Sequence, residues 1–274
     1  MQYGTDEEWG RLTGSRSGGK DPADVLRTWV WLEAAFLEHG KSRSDVADSL
    51  SARANSPGAR NEPTGIVNKW LKGKHVAKPH SVAKLAKVLC GSDEVYHLPV
   101  FDLLRNKRIK KSQLNQWVKP YRTTWNGLEF WEFPQHRYKE SGELLFRANL
   151  LNDSKSLLQR GDIYGFIGIL YLVRKAEADN DVELHLEFMK DAYTAFPAAF
   201  RHPNFRPRWR QFYDCLFWVH ARVPMSLTLC RPKKSVLESQ IYADQHTPCR
   251  VLRPRNKKGF RFTELELPYA QPGF

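Results

Sequence analysis

Between residues 21 and 91, helix starts and stops alternate at short intervals, and this punctuation confines the stretch to a bundle of short helices. Asp21 precedes Pro22, a pair that caps and opens a helix. The carboxylate accepts from free N–H groups of the first turn, and proline has no N–H to leave unpaired. Leu26, Val30 and Leu37, with Trp29 and Ala34, follow at the helical period. His39-Gly40 stops the run, because glycine tolerates the left-handed cap. Ser42 and Asp45 then stand like a capping box ahead of Val46, Ala47 and Leu50, which face inward. "ANSPGARNEP" is a loop by composition. A third helix over "EPTGIVNKWLKG" carries Val67 and Trp70 on its inner side and closes at Gly73. A turn led by Pro79 reaches a fourth helix, which starts at Ser81, buries Val82, Leu85, Ala86 and Leu89, and ends at Gly91.

The flanks read differently. Residues 1–20 are polar and glycine-rich, as in a loose tail. Residues 92–140 have the composition of a basic connector: seven Lys or Arg and no Asp or Glu lie between Leu103 and Leu128, and Asn126-Gly127 is a hairpin turn signal. Residues 141–223 read mostly as helix, with Ile163, Phe166, Ile167, Leu170 and Tyr171 on one stripe. "DVELHLEF" alternates like a strand, but the Asp-Asn-Asp before it offers caps that favour helix. "RQFYDCLFWVHARV" reads as another buried helix, and the chain from about 226 reads as β-rich, with a hairpin around Asn256 to Gly259. The expected fold is mainly α: a helix bundle at 21–91, a connector at 92–140, and a C-terminal α+β domain at 141–274.

Lys and Arg outnumber Asp and Glu by 43 to 30, a net charge of +13, which favours a polyanionic partner. No apolar run is long enough to span a membrane, and the first residues lack the apolar core of a signal peptide. Cys90, Cys215, Cys230 and Cys249 are too scattered for a zinc site or a disulfide framework, and read as reduced thiols of a cytoplasmic protein. No nucleophile elbow, HExxH or P-loop is present. His185, between Glu183 and Glu187, reads as a surface histidine and Cys215 as a core thiol. No catalytic set, cofactor or metal is expected.

"SRSDVADSL", "IVNKWLKG" and "KPHSVAKLAKVL" together resemble the Cro/repressor-type (XRE) helix-turn-helix family, over residues 25–91 only. In that family a capped second helix carries a small buried residue, here Ala47, and the third carries a buried aliphatic, here Val67, before a closing glycine, here Gly73. The chain departs from the pattern in its extra segment 51–60 and in Leu71, a position often acidic in the family. The resemblance implies a bacterial or phage transcriptional regulator that binds double-stranded DNA as a homodimer, with residues 63–72 as the recognition helix in the major groove. If Val67 and Trp70 face inward, Thr64, Gly65, Asn68, Lys69 and Lys72 face outward. Asn pairs with adenine in two places, Lys with guanine or phosphate, and glycine permits close approach. Ser42 and Arg43 at the start of the second helix, Arg53 and Arg60 in the long loop, and Lys74 and Lys78 after the third helix complete the candidate DNA contacts. The basic run from Arg105 to Arg122, "RPRNKKGFR", and the Arg-aromatic segment "RHPNFRPRWRQF" are further basic patches, the last reading better as buried aromatics with surface Arg. The alternative is an antitoxin-like or assembly module whose C-terminal domain binds a partner protein.

Overall fold

A computed structural model of the chain describes residues 6–14, 20–40, 42–51, 63–87, 92–114, 150–159, 161–224 and 231–243. Of these, 76% are helical and none lies in a strand. The chain divides into two compact units, Met1–Asn106 with Gln211–Cys215, and Lys107–Arg210 with Leu216–Phe274.

The first unit contains α1 (Asp6–Gly14), α2 (Pro22–His39), α3 (Arg43–Ser51), α4 (Pro63–Leu71), α5 (Pro79–Ala86), α6 (Ser92–Tyr96) and α7 (Val100–Leu103). Asp21 caps α2 by accepting from the Ala23 N–H at 3.0 Å, and Gly40 ends it at φ 59°. A helix apolar all round must be enclosed by its neighbours. Helix α2 is of this kind: Leu26, Trp29, Val30, Trp31, Leu32, Ala34 and Ala35 are all fully buried. Its Trp31, Leu32 and Ala35 share one core with Val46 and Ala47 of α3, Val67, Trp70 and Leu71 of α4, Val82 and Leu85 of α5, and Tyr96 of α6. The ring of Trp31 meets Trp70 and Tyr96 edge-on, at 5.7 and 5.9 Å between centroids, a favoured aromatic arrangement.

Three expectations change here. Residues 6–14, expected within a loose tail, form α1: Trp9 is buried against Trp29 at 6.0 Å, and its indole N–H donates to Asp214 at 3.1 Å. One aromatic outweighs the polar composition around it. The expected connector is core from its first residues, since Val95, Leu98, Val100, Phe101, Leu103 and Leu104 are buried. Helix α5 begins at Pro79 itself, proline being well suited to the first helical position, and not at Ser81.

The second unit contains α8 (Leu150–Gln159), α9 (Ile163–Asp179), α10 (Val182–Ala199), a 3₁₀ turn (Arg206–Arg208), α11 (Trp209–Ala221) and α12 (Lys234–Tyr242), with Gln211–Cys215 of α11 grouped with the first unit. Helix α9 is capped by Asp162 and buried on every side from Ile163 to Arg174, and α8 and α10 both pack on it. Gly168 makes the α8 contact close: a Cβ there would lie 2.8 Å from Leu157 Cδ2. "DVELHLEF" is helical, capped by Asp181 through the Leu184 N–H.

Residues 234–242, placed in the β-rich end by the sequence reading, are helix α12; Leu237 and Ile241, one helical turn apart, are its buried residues. The hairpins expected near Asn126-Gly127 and around Asn256 to Gly259 lie outside the described residues, as do Leu89, Cys90, Gly91, Cys230 and Cys249.

Candidate nucleic-acid interface

Local sequence sets the start of α3. The Ser42 N–H donates to Asp45 Oδ2 at 2.7 Å and the Asp45 N–H donates to Ser42 Oγ at 3.3 Å, which is a reciprocal capping box. The Ser42 hydroxyl also donates to Asp45 Oδ2 at 2.8 Å, so the side chain expected to touch DNA closes the cap. At the other end of α3, Lys84 of α5 donates to the Leu50 carbonyl. A cation at a helix C-terminus meets the negative end of its dipole.

Helix α4 packs on α3 and α2. Val67, Trp70 and Leu71 are buried, whereas Ile66, Asn68, Lys69 and Lys72 are exposed and Gly65 is half-buried. Leu71 is therefore a core residue, which accounts for an apolar side chain at that position. The small Ala47 is fully buried in the same core.

The exit from α4 is held by partners distant in sequence. The Trp29 indole N–H donates to the Trp70 carbonyl at 3.0 Å, and the Gly73 N–H donates to the same oxygen at 2.9 Å. Gly73 sits at φ 65°, and a Cβ there would lie 2.7 Å from Leu12 Cδ1 and 3.2 Å from Val25 Cγ1. Both conformation and space call for glycine. Further on, the Ala77 N–H donates to Thr28 Oγ1 at 3.0 Å, and the Tyr96 hydroxyl donates to the Ala77 carbonyl at 2.7 Å. The turn between α4 and α5 is thus tied to α2 and α6.

Residues 63–87 contain six lysines and no Asp or Glu. Lys69, Lys72, Lys74, Lys78 and Lys87 are exposed, and so are His75 and His80. Lys20 joins them from the segment before α2, donating to the Lys74 carbonyl. Desolvation, then the charges of Lys20 and Lys69, hold the His75 imidazole below its ordinary value. This surface is an electropositive strip along the outer side of α4 and the turn after it.

The remaining candidates are placed unevenly. Arg43 is the first residue of α3 and Thr64 lies in the first turn of α4, but their side chains lie outside the described part, and Arg53 and Arg60 lie outside the described residues altogether. In the basic run, Arg105 pairs with Asp24 at 2.7 Å and Asp102 at 3.3 Å, and Lys111 pairs with Asp179 at 2.9 Å. Arg105 is thus engaged within the fold, and Lys111 in an ion pair at the surface. Residues 115–122 and "RPRNKKGFR" lie outside the described residues. In "RHPNFRPRWRQF", Phe205, Trp209 and Phe212 are buried; Arg208 is buried as well, while Arg210 lies over the Trp209 ring at 4.8 Å.

The second unit holds buried polar groups of another kind. Arg174 pairs with Glu177 at 2.7 Å, and the Glu177 carboxylate also accepts from Arg222 Nε at 2.6 Å. His220 Nδ1 lies 3.0 Å from the Tyr193 hydroxyl. His185, expected at the surface, is fully buried: burial first, then His220 and Arg174, lower its pKa to about 4. Its neighbours in sequence, Glu183 and Glu187, suggested solvent, but α10 turns position 185 to the same side as buried Phe188, Met189 and Ala192. Cys215, in the part of α11 grouped with the first unit, is fully buried, and burial pushes its thiol well above the usual range. Among the described residues, no group of three or more His, Cys, Asp or Glu is placed to hold a metal ion, and no helix is long and apolar enough to cross a membrane.

Against this geometry, comparison with known proteins returns no counterpart: no family model, curated protein or solved structure matches the chain.

Proposed function

We propose that this chain is a sequence-specific, double-stranded DNA-binding transcriptional regulator, with α4 as the recognition helix in the major groove. One observation carries the reading: α4 is anchored by Val67, Trp70 and Leu71 while Asn68, Lys69 and Lys72 stand outward on a lysine-rich strip free of carboxylates in sequence. Asn68 and Lys69 have the donors and acceptors that read base edges. Lys72, Lys74 and Lys78 have the charge and position for phosphates beside the helix. The C-terminal domain, residues 141–274, for which the sequence suggests an α+β fold, supplies dimerisation, effector sensing or protein contact in this reading, and a homodimer would present two copies of α4 to half-sites one helical turn apart. The experiment is a selection from a random duplex library with the full chain, followed by sequencing. Enrichment of a defined motif is expected; recovery of unselected sequence would sink the proposal.

A second reading, the antitoxin-like or assembly module, draws on the exposed Val236 and Tyr242 of α12. A protein recovered with the chain at fixed stoichiometry, together with no enriched DNA motif, would favour it.

A further inference from the structure

Exposed large apolar side chains among the described residues are Ile66 at 37%, Val236 at 47% and Tyr242 at 40%. Only Ile66 belongs to the first unit, and it stands in the first turns of α4, the part of a recognition helix that reaches base edges. Its place on the helix is specific. Lys69 is three residues on and Gly65 is adjacent, so Ile66 forms one edge of the outward face that Asn68 and Lys72 complete on the other side. Among the described residues a Cβ built at Gly65 would meet nothing within 4 Å, and a glycine there lets a flat partner come close to the helix backbone. Isoleucine is also stiff: branching at Cβ leaves it one favoured rotamer in a helix, so little freedom remains to be lost on contact.

Single exposed apolar residues are common and by themselves mean nothing. What distinguishes Ile66 is the chemistry of the surface it would meet. Among the groups that the bases present in the major groove, the 5-methyl of thymine is the one that projects as an apolar knob and distinguishes its base pair. We infer that Ile66 is a specificity-determining residue that reads a thymine methyl group in the target site. The inference rests on α4 being the recognition helix. It divides the labour on α4: hydrogen bonding from Asn68 and Lys69, apolar contact from Ile66.

The test replaces each thymine of the selected duplex, one at a time, with deoxyuridine, which pairs identically but lacks the methyl. One position should weaken binding of the wild-type chain by about fourfold, the effect of returning one methyl-sized group to water. Ile66→Ala should be indifferent to that replacement, whereas Ile66→Val, which keeps a branched apolar side chain, should still discriminate. Helical circular dichroism of each variant establishes that it folds. If a motif is selected but no deoxyuridine distinguishes wild type from Ile66→Ala, the inference fails and the DNA-binding reading stands. If no motif is selected, both fail. If Ile66→Ala instead abolishes self-association seen by sedimentation, Ile66 belongs to a protein interface and the inference is overturned.

Discussion

The indole N–H of Trp29 donates to the main-chain carbonyl of Trp70 across 3.0 Å in a buried setting, joining the middle of α2 to the end of α4. A helix C-terminus leaves its last carbonyls without intrahelical partners, and here one of them is met by a side chain from the most buried helix of the unit. The bond fixes where α4 ends relative to the core, and through it the outward face of Asn68, Lys69 and Lys72. Trp29→Phe removes the N–H donor and leaves a void where part of the buried indole stood. The two losses together should lower the free energy of unfolding by about 2–4 kcal/mol in urea titrations. Stability equal to wild type would show that neither the bond nor the packing of the indole holds α4 in place.

Gly73 makes the complementary point. Its φ of 65° and the 2.7 Å that a Cβ would have to Leu12 Cδ1 are separate obstacles to a side chain. Gly73→Ala should destabilise by about 1–2 kcal/mol from conformation plus crowding. In a Leu12→Ala background the crowding is relieved and the conformational part remains, so the cost should shrink without vanishing. An unchanged cost in that background would remove Leu12 from the explanation.

These two sites mark how far the sequence is legible. Ala47, Val67 and Trp70 could be assigned to the interior because the helical period places them on one face, and Ser42 with Asp45 could be read as a cap because the motif is local. The partners that hold the α4 exit could not be read that way: Trp29 lies 41 residues from Trp70, and Tyr96 lies 19 from Ala77. Nothing in the spacing announces a long-range hydrogen bond. His185 was misplaced because flanking glutamates outweigh, in a short window, the helical phase that buries it. Ile66 is not among the candidate contacts read from the sequence, because hydrogen-bonding groups and the close approach allowed by Gly65 set that choice; the apolar methyl in the major groove is a reason to consider apolar side chains too.

The buried His185 links stability to pH. Its pKa is near 4 in the folded chain and about 6.5 when unfolded, so between these values the unfolded chain takes up a proton that the folded chain refuses. Stability from this group is complete above about pH 6.5 and is lost as the pH falls towards 4, by about 3 kcal/mol in total. Urea unfolding from pH 7 to 4 should show that decline, and His185→Gln should lose about that much of it. A variant with the wild-type pH profile would show that His185 does not carry the linkage.

The lysine strip should appear in the salt dependence of DNA affinity. Each neutralised phosphate contributes about −0.9 to the log–log slope against salt concentration. Replacing Lys72 and Lys74 with Gln should therefore flatten the slope by about 2 units, at selected and scrambled duplexes alike. A slope unchanged by the double substitution would remove these lysines from the phosphate contacts.

The most direct measurement is the ratio of affinities for the selected duplex and a scrambled one, compared between wild type and Asn68→Ala/Lys69→Ala at one salt concentration. A base pair read through two hydrogen bonds is worth about 1–3 kcal/mol of discrimination. With α4 reading the major groove, the variant should keep its helical content and most of its affinity for the scrambled duplex, while the ratio falls tenfold or more. A folded variant with the wild-type ratio would contradict α4 as the recognition helix.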